Sequence, residues 1–137
     1  MTPVINTKKA VERYLSTMTP SISIAYEGVS FTPPANEMYL RTQLIINQPD
    51  DPVIGDKYYR ERMTFQVFVC DVLNKGTANA LAKAEAIRTR FDKGLTLIES
   101  GMRIHVTRTP QVAGAVVTND RLVVPVFIDL WCEVYKT

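Results

Sequence analysis

The segment that most constrains the fold is YYRERMTFQVFVCDV, at residues 58–72. Apolar and polar side chains alternate along it, as expected where successive side chains of a β-strand point to opposite faces. The residues predicted to share one apolar face are Met63, Phe65, Val67 and Val69, and those on the other are Thr64, Gln66, Phe68 and Cys70. Both faces are partly apolar. The pattern predicts one strand, the longest candidate in the chain.

Two adjacent prolines interrupt a second alternating segment, AYEGVSFTPPANEMYL, at residues 25–40. Proline has no backbone N–H and holds the residue before it extended, so Phe31–Pro34 cannot lie in the middle of a sheet. These residues are expected to form an edge, a crossing or an exposed arm. Strands are predicted on both sides of them, at 22–26 and at 38–46, because both segments are rich in β-branched and aromatic side chains.

Two amphipathic helices are predicted. The first begins at Thr2-Pro3, a cap followed by proline at the first helical position, and ends before Pro20. Its stripe is Val4, Lys8, Val11, Leu15 and Met18. The second follows Gly76, with Thr77 as its cap, and ends before Gly94. Its predicted stripe is Leu81, Ala84, Ile87 or Arg88, and Phe91.

The remaining segments are read as a polar loop, NQPDDPVIGDK at 47–57, and short hairpins after residue 95 with turns at Ser100-Gly101 and Thr118-Asn119-Asp120. This order of elements predicts an α+β fold, a largely antiparallel β-sheet with two helices packed on one face. A length of 137 residues suggests a single domain, 1–137. Sheet edges that the helices leave uncovered must be hidden, and a ring of identical subunits is one way to hide them.

Composition and charge exclude several classes of protein. The net charge is only +2, with no block of like charge, so strong nonspecific binding to nucleic acid is not predicted. No apolar run is long enough to span a bilayer, and the N-terminal segment lacks the features of a secretory signal, so we expect a cytoplasmic protein that does not insert in membranes. Cys70 and Cys132 are then expected to be reduced, and both fall in apolar strands.

A search for catalytic, metal or cofactor sites finds little. His105 is the only histidine, and its alternating context MRIHV predicts a solvent-facing strand position. Three cysteine and histidine residues on separate strands do not make a zinc site. Asp50, Asp51 and Asp56 share one loop but lack the spacing of a calcium loop, and turn formation beside prolines explains them better. No nucleotide-binding glycine motif is present. We therefore predict no catalytic residue, metal or cofactor.

The ordered set of motifs resembles the tail terminator-like proteins of long-tailed bacteriophages. The motifs are IAYEGVSFTPP, YLRTQLI, the polar loop, YYRERMTFQVFV, Gly76 before the helix LAKAEAIRTRF, Gly94-Leu95-Thr96-Leu97, and VVPVFIDLWCE. The similarity extends from the first helix to Tyr135. Each motif alone has low specificity, whereas their order along nearly the whole chain is characteristic.

The resemblance implies a structural protein without catalytic residues. Such a protein assembles as a hexameric ring, binds the end of the finished tail tube, stops further addition of tube subunits and offers the surface that joins the head. Its implied partners are identical subunits, the tail tube protein and a head completion or connector protein, and DNA passes through the ring without specific binding. Its implied location is the head-proximal end of the virion tail, after assembly in the host cytoplasm.

Two further expectations and two alternatives accompany this resemblance. Phe31–Pro34 would be the crossing between the first two strands, with Phe31 anchored on apolar surface. The residues expected at interfaces are Asp50, Asp51, Asp56, Lys57, Arg60 and Arg62. Arg60 and Arg62 are expected to pair with acidic groups at subunit or tube contacts rather than line the bore of the ring. The alternatives are another ring of the head–tail connector or tail tube, and a small ligand-binding module or enzyme centred on His105 or the aspartate loop.

Overall fold

A computed structural model describes residues 2–118 and 120–136, which form two helices and eight strands. The helices are α1 (Pro3–Ser16) and α2 (Ala78–Arg90). The strands are β1 (Ser23–Ala25), β2 (Tyr39–Ile46), β3 (Tyr58–Val72), β4 (Thr96–Glu99), β5 (Met102–Val106), β6 (Gln111–Val112), β7 (Val116–Thr118) and β8 (Arg121–Tyr135). The predicted α+β class is confirmed.

All eight strands belong to one mostly antiparallel sheet. Neighbouring strands follow the order β1-β2-β3-β8-β5-β4, and β6 and β7 also pair with β8. Only the β1–β2 pair is parallel among the strands described. β3 and β8 pair along their whole length, from Tyr58 opposite Tyr135 to Val72 opposite Arg121. These two strands form the centre of the sheet, so the long strand predicted at 58–72 is confirmed.

The last segment differs from the prediction of short hairpins, because β8 is a single strand of 15 residues. Pro125 lies within it, and its carbonyl accepts a hydrogen bond of 2.9 Å from the Ala113 N–H. The nitrogen and carbonyl of one strand residue point to the same side, so the Pro125 nitrogen faces the gap between β6 and β7. No ladder bond is required there, and the strand continues through the proline.

Both helices pack on the same face of the sheet, as predicted. Met63, Phe65, Val67 and Val69 of β3 are all almost completely buried there with Val11 and Leu15 of α1 and with Met18, which follows that helix. The predicted stripe of α2 is partly wrong, because Leu81 is 36% exposed and the buried positions are Ala80, Ala84, Ile87 and Phe91. Those positions are spaced by four, three and four residues, so the helix is rotated slightly from the predicted orientation.

The helices begin and the first hairpin turns near the predicted positions, but the predicted capping hydrogen bonds are not formed. Thr2 and Thr77 occupy the N-cap positions, but neither side chain makes a capping hydrogen bond. Ser100 and Gly101 form the predicted turn between β4 and β5, with φ values of +51° and +78°. Two consecutive left-handed residues match the twist of a tight hairpin. Asn119, the central residue of the second predicted turn, lies outside the described residues.

The double-proline segment is the crossing between β1 and the parallel strand β2, which confirms that expectation. Phe31 is half-buried, and its ring centroid lies 5.2 Å from that of Tyr39 on β2. The crossing is therefore anchored on an aromatic side chain of the strand it leads into. Parallel strands need such a crossing because a tight hairpin turn joins only antiparallel neighbours.

Candidate protein interface on the uncovered sheet face

The sheet face opposite the two helices carries a row of half-exposed aromatic rings. Alternation places Phe68 of β3, and Phe127 and Trp131 of β8, on this uncovered face, together with Tyr39 of β2. Each ring is partly accessible to solvent, whereas the alternate residues of β3 and β8 are buried under the helices. Aromatic side chains on a solvent-facing surface are typical of protein interfaces.

Arginine side chains stack on these rings. The guanidinium carbon lies 4.6 Å from the ring centroid in the Arg41–Phe68 pair, 4.5 Å in the Arg60–Trp131 pair and 5.1 Å in the Arg121–Tyr39 pair. At these distances the ring quadrupole attracts the cation and orders the long side chain. The arginines on this face and its strand ends are Arg41, Arg60, Arg62, Arg103, Arg108 and Arg121, and the acidic residues are Asp50, Asp129 and Glu133.

A cleft of about 350 Å³ opens at one end of this face. One wall is the start of the 47–57 loop, and the other is the segment that follows β5. Backbone hydrogen bonds fix both walls to the sheet: Asp50 and Arg60 exchange two bonds of 2.9 Å, and the Thr107 N–H donates to the Asp129 carbonyl at 3.1 Å. Trp131 lines the cleft between these walls. The cleft is therefore formed by the fold of a single chain.

Charged groups in the cleft are arranged in loose pairs. Arg62 Nη1 lies 3.4 Å from Asp50 Oδ2, and Arg108 Nη1 lies 3.8 Å from Asp129 Oδ2. Both arginine side chains are more than half exposed, at 58% and 75%. Surface pairs of this kind contribute about 0–1 kcal/mol each to stability. The cations are thus held near the cleft without being fully paired.

Arg60 is held more firmly than its neighbours. Its Nε donates to the Tyr58 hydroxyl at 3.1 Å, and that hydroxyl donates to Glu133 Oε1 at 3.1 Å. The hydrogen bond with Tyr58 raises the pKa of Arg60 above its ordinary value. The hydrogen bond to Tyr58 occupies Nε, and the contact with Trp131 involves the flat face of the guanidinium. Neither interaction occupies Nη1 or Nη2, which can therefore bind a ligand in the cleft.

The structure brings together three of the residues predicted for contacts, Asp50, Arg60 and Arg62, in this cleft. Asp51, Asp56 and Lys57 lie apart from it, on the exposed part of the loop. The sequence did not single out Arg108, Asp129 or Trp131 for this site. Trp131 lies directly opposite Arg62 in the β3–β8 register, and no local sequence signal states that these two strands pair.

The histidine and the two cysteines do not line the cleft. His105 lies half-buried on the uncovered face, where its ring centroid is 4.8 Å from that of Trp131 and its Nδ1 is 3.1 Å from Thr96 Oγ1. Cys70 and Cys132 are buried, as expected, and burial raises the pKa of both thiols. Within residues 2–118 and 120–136, no group of three or more histidine, cysteine or acidic residues could hold a metal ion.

Neither helix of the part of the chain that is described has the length and apolarity required to cross a bilayer.

Comparison with known proteins assigns the chain to a family. One solved protein structure with 23% sequence identity superposes with a TM-score of 0.68, over 98% of this chain and 94% of that one. At this identity the likeness concerns the fold. No curated protein matches the sequence significantly. The family model described as "Phage tail terminator protein" matches residues 6–130. Because that match covers most of the 137 residues, the chain belongs to the phage tail terminator protein family.

Proposed function

We propose that this protein forms a hexameric ring on the end of the phage tail tube, ends tube polymerisation and provides the surface to which the head joins. The observation that carries the proposal is the family match over residues 6–130, since tail terminators are structural proteins of virion assembly. Binding rather than catalysis is the activity proposed. In the virion the ring would lie at the head-proximal end of the tail.

Uncovered sheet edges support the ring. β7 has three exposed residues, and the side chains of Val116 and Val117 are 51% and 66% exposed. At the far side of the sheet, Ile98 of β4 is 64% exposed. An exposed sheet edge presents unpaired backbone N–H and C=O groups, and exposed apolar side chains beside it gain by being buried against another chain. A head-to-tail ring covers two different surfaces of each subunit and ends its own growth by closing.

The contacts proposed for this assembly involve the cleft and the adjacent loop. Asp50, Arg60 and Arg62 would lie at subunit or tube contacts, and so would the exposed loop residues Asp51, Asp56 and Lys57. A head completion or connector protein would bind the opposite side of the ring. DNA would pass through the bore without specific binding, because a grip on the phosphate backbone would slow its passage and make it strongly salt dependent.

The proposal is tested by assembling tail tubes from the tube protein of the same phage with and without this chain. Tubes of defined length, each ending in a six-fold ring in negative-stain images, are the expected result. The variant Arg60→Glu with Arg62→Glu should lose capping while remaining folded, because like charges left at an interface are costly. The matched control, Lys75→Glu with Lys93→Glu, gives the same net charge as the test variant at two exposed turn positions outside the cleft. Tubes that grow without limit in the presence of the unmodified protein would refute the proposal.

A further inference from the structure

We infer that the cleft between the start of the 47–57 loop and the segment after β5 is a binding site for an acidic protein segment that presents adjacent carboxylates. Arg60, Arg62 and Arg108 supply the donors, and Trp131 supplies the apolar surface beside them. The inference deepens the proposed function, because it names the chemistry of one contact that a ring on a tube would use.

Charge complementarity is the first argument. Three guanidinium groups line the cleft with two aspartates, Asp50 and Asp129. Glu133, opposite Arg60 in the strand register, accepts a hydrogen bond from the Tyr58 hydroxyl and is not part of the lining. Each guanidinium has five N–H donors arranged as a fork that matches a carboxylate in a bidentate geometry. The two aspartates engage Arg62 and Arg108 only at 3.4 and 3.8 Å, which leaves most donors of these side chains to solvent.

Preorganisation is the second argument. The Arg60 guanidinium is fixed by the Tyr58 hydroxyl and by stacking on Trp131, so it loses little side-chain freedom when a ligand binds. Asp129 is oriented by a hydrogen bond of 3.2 Å from the Thr64 hydroxyl, and Asn47 Nδ2 donates to the same hydroxyl at 3.2 Å. The walls are bonded to the sheet through their backbones. The walls of the cleft therefore need no backbone rearrangement to receive a small acidic group.

The aspartates also select between two kinds of anionic partner. Asp50 and Asp129 repel every anion, and this repulsion is larger for the continuous line of phosphates of a nucleic acid than for one or two carboxylates. A short protein segment brings only one or two carboxylates, which can take the place of the loosely bound aspartates at Arg62 and Arg108. The size of the cleft, about 350 Å³, suits two side chains better than a polymer backbone. We therefore assign the site to a protein.

Trp131 gives a direct measurement, because it is the only tryptophan of the chain and lies under Arg60. The experiment titrates the full chain, at low ionic strength, with the blocked peptide Gly-Asp-Asp-Gly and with its isosteric partner Gly-Asn-Asn-Gly. We expect a saturable change of Trp131 emission with the acidic peptide only. The variant Arg62→Gln with Arg108→Gln should weaken that binding about tenfold or more, the effect of losing charge-assisted contacts. The control, Lys75→Gln with Lys93→Gln, removes two exposed cations outside the cleft and should bind as the unmodified chain does.

Three results would overturn the assignment. The first is the absence of a saturable response to the acidic peptide, and the second is an equal response to the amide peptide. The third is a response to duplex DNA or inorganic phosphate that matches the acidic peptide and is lost in the Arg62→Gln, Arg108→Gln variant, because phosphate would then be the ligand. No tube is present in this titration, so its result is independent of tube capping. Failure to cap tubes with peptide binding intact would refute the terminator role alone.

Discussion

Arg121 donates a hydrogen bond of 2.6 Å from Nη2 to the carbonyl oxygen of Pro34, which joins the centre of the sheet to the double-proline crossing. Its Nη1 donates a second bond of 2.6 Å to the Glu37 carbonyl, and its guanidinium lies over the ring of Tyr39. Because the prolines cannot donate to a ladder, the crossing is held by its carbonyl oxygens and by Phe31. One arginine at the start of β8 therefore fixes a segment 87 residues away in sequence.

Replacing Arg121 by methionine should loosen this crossing while keeping the aliphatic part of the side chain. We expect a loss of about 1 kcal/mol in the free energy of unfolding, from two charge-assisted bonds that are partly exposed to solvent. The rate of amide hydrogen exchange in residues 26–38 should rise by more than the loss in the free energy of global unfolding would cause. Urea unfolding and hydrogen exchange measure the two effects. Arg103→Met is the matched control on the same face, and equal protection of the crossing in both variants would contradict the role given to Arg121.

Phe91, the residue that ends α2, should be the position most sensitive to substitution in this part of the chain. Its side chain is completely buried, and its ring centroid lies 5.1 Å from that of Tyr14 on α1 and 5.9 Å from that of Phe65 on β3. Phe91→Ala removes the ring that joins both helices to the sheet and should cost about 3–5 kcal/mol. Leu81→Ala, at the exposed position of the same helix, should cost less than about 1 kcal/mol. Denaturant unfolding compares the two, and a larger loss for Leu81→Ala would reject the observed orientation of α2.

This contrast shows how far the sequence alone defines the fold. Alternation identified β3 and its buried face because side chains on a strand alternate between two faces. A shift of the pattern by one residue would move Phe65 from the core to the opposite face. The stripe of α2 was less well defined, since Ala80 and Leu81 both fit a helical period and alanine carries little hydrophobic signal. The cleft could be predicted only in part. Arg60 and Arg62 lie near Asp50 in sequence, but Arg108, Asp129 and Trp131 reach them through long-range strand pairing.

Glu61 should make the protein less stable at neutral pH than a neutral residue would. Its side chain is almost fully buried on the helix-facing side of β3, and burial raises its pKa above the ordinary value of 4.5. Between the unfolded and the folded pKa the folded state binds more protons, so stability falls as pH rises through this range. Glu61→Gln should raise the free energy of unfolding at pH 7, and this gain over the unmodified chain should shrink towards pH 4.

Urea unfolding at several pH values checks this expectation. Glu85→Gln, on the exposed surface of α2, serves as the control for replacing a glutamate by glutamine at a position outside the core. A constant difference between Glu61→Gln and the unmodified protein from pH 4 to pH 7 would show that the folded pKa of Glu61 is not raised.

The two cysteines should be inert in the folded protein. Both are buried, and burial raises the pKa of each thiol, so the reactive thiolate is scarce at pH 8. Labelling with a thiol reagent should be slow at both Cys70 and Cys132 and should become fast for both in urea. His105→Ala, and Cys70→Ser with Cys132→Ser, should leave tube capping nearly unchanged apart from lost stability. A capping defect of orders of magnitude in a folded variant would instead indicate a site built on these groups.

The exposed part of the 47–57 loop should be needed for assembly but not for folding. Val53 and Ile54 at its tip are 51% and 107% exposed, and residues 51–57 are all exposed, so the loop contributes little to the core. Asp50 differs, because it exchanges two backbone hydrogen bonds with Arg60. Replacing residues 51–55 by two glycines should therefore keep the unfolding free energy within about 0.5 kcal/mol.

Removing Asp50 as well should affect folding in addition to assembly. A deletion of residues 50–55 should lower stability further, since it removes the bridge to Arg60. Both variants should impair the joining of heads to tails, because isolated apolar side chains at a loop tip gain by being buried against a partner. The measurements are urea unfolding of the purified variants and the yield of infectious particles when each replaces the unmodified chain. Normal yields with the 51–55 replacement would remove the loop tip from the function and leave the cleft as the contact.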